Sequence, residues 1–447
     1  MARIVVVGAG ISGLAAAHGL RESGHDPIVF DCDVVSGGRV RSERIGGFLM
    51  EHGANTLAGP APAAQSLIDG FGLQHQVMRQ SPAARRRYLV RGGRARALAI
   101  APWRSIPRLL MEPFVPVRRG DETVAEFALR RLGREMLDYV IDPLVGGLFA
   151  GDPRQLGVSA VFPRLKRFER EHGSILLGAM RARAACTARG LYSFAHGLGT
   201  LPRALAGGVS HQVFLGHRVE SVQRLARGRF RLRVRCGSST AWMTADGVIV
   251  ALPAYAAAQV LAGLDRDLAQ ALAEIAHPPI AVVFLGYGPG AIAHPLDGPG
   301  MLAPAVEKRA VLGMLFSSSL FPGRAPPRHV ALTAYVGGAR QPQLARLRPQ
   351  ELIALAHAEA RKLLDASAAP MVARTRCWPR GLPQPGVDHE RRLARLAAFE
   401  AEHPGLFLTG NYLAGVSATA CVEQAVRTAR RVVPAPAARP SLQRQAA

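Results

Sequence analysis

Lysine is almost missing from this chain: Lys166, Lys308 and Lys362 stand alone among 56 basic residues, set against 32 acidic ones. The net charge of +24 has two readings. One is a compositional bias that puts arginine in place of lysine over the whole surface; the other is attraction to anionic lipid or to an acidic ligand. Aromatic residues make up 6% of the chain and do not alternate with the basic ones, and no recognised binding motif is present, which argues against nucleic acid as a partner. Cysteine is scarce as well. Cys32, Cys186, Cys236, Cys377 and Cys421 form no C-x-x-C pair and no metal-like spacing, so reduced thiols, no structural disulfide and no metal site are expected. Long apolar runs are missing too. The uncharged apolar stretch 247–264 is split by Pro253 and interrupted by Gln259; it reads as strand, turn and helix, not as a membrane span.

What the chain does have is concentrated at its start. "MARIVVVGAGISGLAAAHGL" allows two readings, a secretory signal peptide or a strand, glycine turn and helix that hold a dinucleotide. Gly8, Gly10 and Gly13 follow the β-branched run Ile4–Val7 as G-x-G-x-x-G. Gly8 suits the tight turn, Gly10 a close approach to pyrophosphate, and Gly13 the packing of helix on strand. The helix start then offers free N–H groups and its positive dipole end to phosphate. Gly24 is a plausible helix stop, and a second strand over Pro27–Phe30 leads to Asp31, at the separation expected of a carboxylate that accepts hydrogen bonds from ribose. A signal peptide has no reason to carry that register, and no A-x-A cleavage site closes the run, so the dinucleotide reading is preferred.

The rest of the chain reads as interleaved. A length of 447 residues suits two or three domains. Residues 98–190 are helical in pattern, with Val124, Phe127, Leu132, Met136, Val140 and Ile141 near one face. Strands return over 213–252, a mixed region spans 276–395, and "GLFLTGNYLAGVSATACVEQAVRTARRVV" is again strand, glycine loop and helix. The Ala-, Pro- and Arg-rich tail 435–447 reads as disordered.

Three further elements carry a resemblance. "VSGGRVRS" follows Asp31, "GGFLMEHGANTL" comes next, and "TGNYLAGVS" lies near the end. Together they resemble the flavin amine oxidase superfamily, which implies FAD in preference to NAD. Within it, "DPLVGGLFAGDPRQLGVSAVFPRLKRFEREHGSILLGAM", "RRYLVRGG", "VLGMLFSSSLFPGRAP", "YVGGAR" and "LPQPGVDHERRL" are similar to the oxygen-dependent, FAD-containing protoporphyrinogen oxidases, from residue 3 to about 430. The resemblance implies a fold of α/β and α+β class in three parts. These are a split Rossmann-like FAD-binding domain (1–80, 191–275, 404–434), an antiparallel-sheet substrate domain (81–97, 276–403) and a helical membrane-surface domain (98–190). It implies oxidation of a porphyrinogen to a porphyrin in three two-electron steps, in which the flavin takes a hydride from a bridging carbon and passes the electrons to oxygen. The cofactor carries that chemistry, so no catalytic side chain and no general base is named.

The family's cofactor positions map onto Gly8, Ala9, Gly10, Ile11, Ser12 and Gly13 in the first turn, and onto Asp31, Cys32, Gly38 and Arg39 after the second strand. They continue with His52, Gly53, Ala54 and Asn55, then Val219, and finally Asn411, Val416, Ser417 and Ala418. In that last group the helix N-terminus would face the flavin ring and stabilise negative charge on it. For the substrate, Arg87 matches an arginine that pairs with a propionate, which its planar fork suits; on the sequence alone it is equally a solvated member of Arg85–Arg86–Arg87. Ala150, Leu302, Leu315 and Tyr335 match ring-lining positions, though each also reads as plain core. Gly147 and Gly300 would let a macrocycle approach the backbone. His52 and His172 read more simply as structural histidines. Three departures from the family pattern, Asp31 for glutamate, Pro299 for an aromatic and the proline and glycine of "LPQPGVDH", bear on substrate choice more than on fold.

Two rivals stand beside this reading: a flavin desaturase or amine oxidase acting on another apolar substrate, and a flavin-free porphyrin or haem carrier. Coproporphyrinogen is an alternative substrate, and the oligomeric state, a homodimer included, is open. A porphyrinogen is greasy with acidic tails. Residues Trp103, Ile106, Leu109, Leu110, Met111 and Phe114, interspersed with Arg104, Arg108, Arg118 and Arg119, therefore suggest a segment lying on the cytoplasmic face of an anionic membrane. The alternative is an ordinary domain helix.

Overall fold

The computed structural model describes residues 2–59, 61–97, 105–182 and 190–432. Cys186, Trp103, Arg104 and the tail from 435 lie outside the described residues.

The apolar run Ile4–Val7 forms most of strand β1 (Arg3–Val7) and is buried throughout, as a strand covered on both faces must be. Helix α1 (Ile11–Glu22) and strand β2 (Asp26–Phe30) follow, and Gly24 takes a φ of +79° just past the helix. β1 lies at the centre of a five-stranded sheet between β2 and the strand Gly247–Val250; Val213–Phe214 and Leu406–Leu408 flank them, and every pair is parallel. Its strands thus come from three distant stretches of chain. On one side α1 meets the helix Ala418–Arg430 so closely that a Cβ on Gly19 would lie 3.0 Å from Ala429 Cβ. On the other, the antiparallel sheet His217–Arg224, Phe230–Cys236 and Ser239–Ala245 packs Val219, Val222, Leu232 and Val234 against Val5, Val7 and Phe30.

A second, seven-stranded sheet runs in the order Val372–Trp378, Ile280–Tyr287, Val330–Gly337, Val311–Phe316, Gly300–Leu302, Tyr88–Arg91, Arg94–Ala97. All its pairs are antiparallel except Gly300–Leu302 with Tyr88–Arg91. One face packs Tyr88, Met301, Met314, Ala334 and Val336 with residues of the helix Pro349–Leu364. Alternation along the strands turns their neighbours to the other face. Between β2 and this sheet, the hairpin of β3 (Ser42–Ile45) and β4 (Phe48–Glu51) sets Phe48 and Met50 against Phe284 and Ala331.

The helical region does not form the single amphipathic helix that its pattern suggests. Thr123 starts Val124–Arg131 with a reciprocal capping box to Glu126. Gly133, at φ +88°, then breaks the run, and a π-helical turn Leu137–Ile141 leads into Asp142–Phe149. Val124, Phe127, Leu132 and Ile141 reach a common core, whereas Met136 is only partly buried beside it. Beneath them lies a feature the pattern hides: Glu112, Glu122, Glu169, Arg131 and Lys166 are all buried, and Arg130 joins them. Arg131 bridges Glu112 and Glu169 at 2.8 Å each, Lys166 reaches Glu169 at 2.8 Å and Glu122 at 3.1 Å, and Arg130 reaches Glu122 at 2.5 Å. Three cations face three carboxylates. Among the described residues no helix is long and apolar enough to cross a membrane.

Candidate active site

The glycine turn after β1 has the shape that phosphate requires. Gly8 holds a φ of +110°, and a Cβ there would lie 2.7 Å from the Ala251 carbonyl oxygen. A Cβ on Gly13 would collide with the Gly8 carbonyl, so its absence lets helix and strand touch. Gly10 differs: a Cβ there meets nothing within 4 Å. The protein itself does not need that glycine, and the space in front of it is open. No side chain caps α1, so the N–H groups of its first turn remain available. Asp31 braces the turn: one carboxylate oxygen accepts the Ala9 N–H at 2.6 Å and the other the Asp33 N–H at 2.8 Å. Burial pushes its carboxyl up, against the pull of those two N–H groups. The Ala9 N–H is therefore spent within the protein. Asp31, Cys32 and Asp33 bring ligand-type atoms within 4.8 Å of one another; Arg41 pairs with Asp33 at 2.8 Å, and each Asp31 oxygen, accepting one N–H, keeps a lone pair for a further donor. Cys32, Cys236, Cys377 and Cys421 are free thiols.

Gly38, at φ +58°, passes so near that a Cβ on it would lie 3.3 Å from Gly10 Cα. Next to it Arg39 donates to the Arg380 carbonyl at 2.5 Å and lies over Trp378, 5.7 Å from the ring centre. The segment after β4 is fastened to the seven-stranded sheet. His52 offers its carbonyl to Trp378 Nε1 at 2.8 Å, and Asn55 Nδ2 donates to the Tyr335 hydroxyl at 2.6 Å and to the Gly53 carbonyl at 3.0 Å. The His52 ring faces Glu43 at 3.0 Å. Ala54 packs at the margin of the core beneath the parallel sheet. Val219 is buried against β1 and β2. At the other end of the chain Ser417 caps Ala418–Arg430 by accepting the Ala420 N–H at 3.1 Å. Asn411 and Val416 are half-buried in the preceding loop. Ile11, Ser12 and Ala418 are buried. Cofactor-type residues of the first turn, 31–39, 52–55 and 411–418 thus gather around the C-terminal edge of the parallel sheet, where α/β folds bind ligands, whereas Val219 lies in the core between the parallel and antiparallel sheets.

The open face of the seven-stranded sheet carries the substrate-type residues. Register aligns Leu89, Leu302, Gly313 and Tyr335 in one row, and Gly300, Leu315 and Thr333 in the next. Gly313 stands between Leu302 and Tyr335 because the row leaves no room for more: a Cβ there would lie 2.6 Å from the Met301 carbonyl oxygen and 3.3 Å from Leu302 Cδ2. Alternation carries Arg87 to the face of Leu89, because Tyr88 between them points into the opposite core. Arg86 is tied to Asp297 at 3.2 Å; Arg87 is exposed and has no acidic partner among the described residues. Ala150 ends the helix Asp142–Phe149 in a left-handed conformation, φ +50°, and packs with Ile280, Leu312, Tyr335 and Trp378.

Two glycines have another purpose than close approach of a macrocycle. A Cβ on Gly147 would collide with Leu302 Cδ2, and one on Gly300 with the Met314 carbonyl. Each therefore serves the packing of this protein on itself. His172 lies at the surface of the helical region, its Nδ1 3.2 Å from Arg181, away from this cleft. Sequence reasoning missed Gly313, Trp378, Glu51 and Arg324. Gly313 and Arg324 stand within "VLGMLFSSSLFPGRAP" and Glu51 within "GGFLMEHGANTL", but neither motif tells what these residues meet.

A family model described as flavin containing amine oxidoreductase matches residues 11–433. Protoporphyrinogen oxidase 2, chloroplastic/mitochondrial, of Arabidopsis thaliana is 30% identical, over 96% of this chain and 94% of that protein. Coproporphyrinogen III oxidase of Bacillus subtilis (strain 168) is 25% identical, over 94% and 96%. Among solved structures, one from Exiguobacterium sp. 255-15 superposes with a TM-score of 0.82 at 22% identity, covering 96% of this chain and 98% of that one.

Proposed function

The chain belongs to the flavin-containing amine oxidoreductases, with FAD as cofactor, and we propose that it oxidises a porphyrinogen to the conjugated porphyrin in haem biosynthesis, with oxygen as electron acceptor. The observation that carries this reading is the sheet face: Leu302, Leu315 and Tyr335 side by side as an apolar floor, with Arg87, exposed and without an acidic partner among the described residues, on the same face. That combination complements a greasy macrocycle with acidic tails. Near-full-length similarity to proteins named protoporphyrinogen oxidase supports it.

In this reading residues 1–80, 191–275 and 404–434 hold FAD. The first turn of α1 and the open space at Gly10 receive its phosphates, and Asp31 its ribose. Bound FAD supplies the two-electron oxidation. Arg87 takes a propionate in a bidentate pair, Leu302, Leu315 and Tyr335 exclude water and orient the ring, and Asn55 fixes the Tyr335 hydroxyl. No side chain is assigned as a general base. The coproporphyrinogen alternative rests on the similarity to the Bacillus subtilis protein; aerobic fluorescence assays of both porphyrinogens side by side distinguish the two.

Arg87→Ala tests the substrate assignment. Losing one charge-assisted pair weakens binding by about 2 kcal/mol or more, toward the low end because Arg87 is exposed. The KM for porphyrinogen is expected to rise about thirty-fold with flavin content unchanged, while Arg85→Ala, at another exposed position whose Nε donates to the Pro82 carbonyl, leaves KM alone. Equal effects at both positions would replace the specific contact by a diffuse basic patch.

We further propose that the helical region rests on the cytoplasmic face of an anionic membrane. Leu110 and Phe114 are 66% and 78% exposed, and Met111, Leu176, Leu177 and Met180 are exposed nearby, with the helix Ile175–Arg181 against the turn Glu112–Phe114. Arg108, Arg118, Arg119 and Arg181 are exposed beside them. Leu109 is only partly exposed and packs on the helical core, so it is left out of the test. The protein is expected to co-sediment with anionic vesicles at low salt and to come off at high salt. Changing Leu110, Met111 and Phe114 together to serine should remove most of that binding. Indifference of the unmodified protein to such vesicles at low salt would refute the membrane reading.

A further inference from the structure

We infer that Glu51 is a positioning residue for the flavin: paired with Arg324, it clamps the segment His52–Asn55 to the sheet that bears the substrate cleft. The inference rests on the reading that FAD lies along His52–Asn55.

Glu51 ends β4 and its side chain is 3% exposed. One carboxylate oxygen accepts the Leu198 N–H at 2.8 Å and faces Arg324 Nη1 at 3.1 Å; the other accepts the Ser42 hydroxyl at 2.5 Å. Ser42 Oγ in turn accepts the Gly199 N–H at 2.8 Å. Arg324 is equally buried, donates to Ser193 Oγ at 2.6 Å, and has its carbonyl bound by the Leu49 N–H at 2.9 Å. Neighbouring backbone is shaped around the carboxylate. A Cβ on Gly197, at φ +87°, would collide with Ser42 Oγ and lie 3.0 Å from Glu51 Oε1.

The position of Arg324 gives the pair its meaning. It lies in the connection between Val311–Phe316 and Val330–Gly337, the strands that carry Leu315 and Tyr335. Within the five residues that start at Glu51, three are linked to that sheet or to its connection: Glu51 to Arg324, His52 to Trp378 and Asn55 to Tyr335. A buried ion pair contributes little net stability compared with a well-packed apolar pair, but it imposes one geometry, and removing either partner strands the other. Cofactor segment and substrate floor are thereby held in fixed relation, the condition for a reacting carbon to meet a flavin at the right distance.

The clamp is also set to respond to pH. Burial pushes the Glu51 carboxyl up to about 7, opposed by Arg324, the Ser42 and Leu198 donors and Arg203. Arg44 acts on Arg324, and Tyr335 stands near enough to feel the Glu51 charge. The ionised, paired form therefore prevails at pH 8, and the protonated form, without the ion pair, at pH 6.

FAD titration into apoprotein at pH 8 and pH 6, followed by flavin fluorescence, decides the matter for the unmodified protein, Glu51→Gln, Arg324→Met and Asn55→Ala. The unmodified protein should bind FAD more weakly at pH 6 than at pH 8. Glu51→Gln should bind about five- to hundred-fold more weakly than the unmodified protein at pH 8, the span of an ordinary coupling between sites, with no difference between the two pH values. Arg324→Met should behave likewise. Unchanged affinity and pH response in Glu51→Gln, with a loss in Asn55→Ala, overturns the clamp alone. Unchanged affinity in both variants overturns the flavin placement and the clamp with it. If apo Glu51→Gln does not fold, Arg324→Lys replaces it: a shifted pH midpoint for FAD binding supports the clamp, and an unshifted one overturns it.

Discussion

Gly10→Val is expected to fold normally and to purify colourless. A Cβ at Gly10 touches nothing within 4 Å, and its backbone, at φ −73° and ψ 176°, is open to any L-residue. The substitution therefore costs the protein little by itself. The branched side chain would instead occupy the space between the first turn of α1 and the pyrophosphate. Displacing two hydrogen bonds to a charged group, at about 1.5 to 3 kcal/mol each, weakens FAD binding on the order of a hundred-fold or more. Visible absorbance against protein concentration reads the outcome, and the thermal midpoint of the apoprotein confirms that the fold survives. The neighbouring glycine is the contrast: Gly13→Val would drive a side chain into the Gly8 carbonyl and should damage folding itself. A yellow Gly10→Val protein with a full complement of flavin would mean that the phosphates lie elsewhere.

The largest effect on stability is expected at Arg131. Its side chain is fully buried and bridges Glu112 and Glu169. Arg131→Met leaves both carboxylates short of a partner in a dry interior, which costs about 3 to 5 kcal/mol. Arg134→Met removes an exposed arginine 3.9 Å from Asp138 and should cost under about 1 kcal/mol. Chemical denaturation of the two variants side by side, reading helical signal, makes the comparison. Equal losses would show that the six charges do not act as a unit. The same cluster predicts acid sensitivity. Burial alone would raise the Glu169 pKa, but hydrogen bonds from Lys166, Arg131, Arg130 and the Arg118 N–H hold it at about 2, below its ordinary 4.5. A carboxylate held low in the folded state stabilises fully above its unfolded pKa, and that stabilisation disappears as pH falls from about 4.5 toward 2.

Which features could be read from the sequence follows from how far their causes reach along the chain. β1, the glycine turn, α1, β2 and Asp31 lie within some thirty residues, and each has a local reason: β-branched residues for the strand, glycines for the turn, a carboxylate at a fixed distance. Arg87 could be singled out by its motif, but only the register of Tyr88 on Met301 shows which face it occupies. The six-charge cluster stayed hidden because its members stand between 112 and 169, and each alone looks like part of a solvated helix face. The Glu51–Arg324 pair spans still more of the chain: each residue stands in a motif, but nothing in either motif points to the other as its partner. In the sequence Gly147 and Gly300 suit the close approach of a ring, but what their missing side chains accommodate, Leu302 and Met314, comes from packing that no local pattern encodes.

The arrangement of the parallel sheet has a consequence for how the molecule is made. The strand Gly247–Val250 lies between β1 and Leu406–Leu408, so on a ribosome it waits for its second neighbour while more than a hundred further residues are added. At usual elongation speeds of about 5 to 20 residues per second, that interval lasts on the order of ten to thirty seconds. Throughout it one edge of the sheet, lined by Val248, Ile249 and Val250, is unpaired and able to recruit the wrong strand. The helix Ala418–Arg430 that covers α1 arrives later still. A nascent chain of this design is exposed to aggregation until Leu406–Leu408 has been made and has docked, and its yield in a cell should depend on chaperone supply and on cofactor present at that moment.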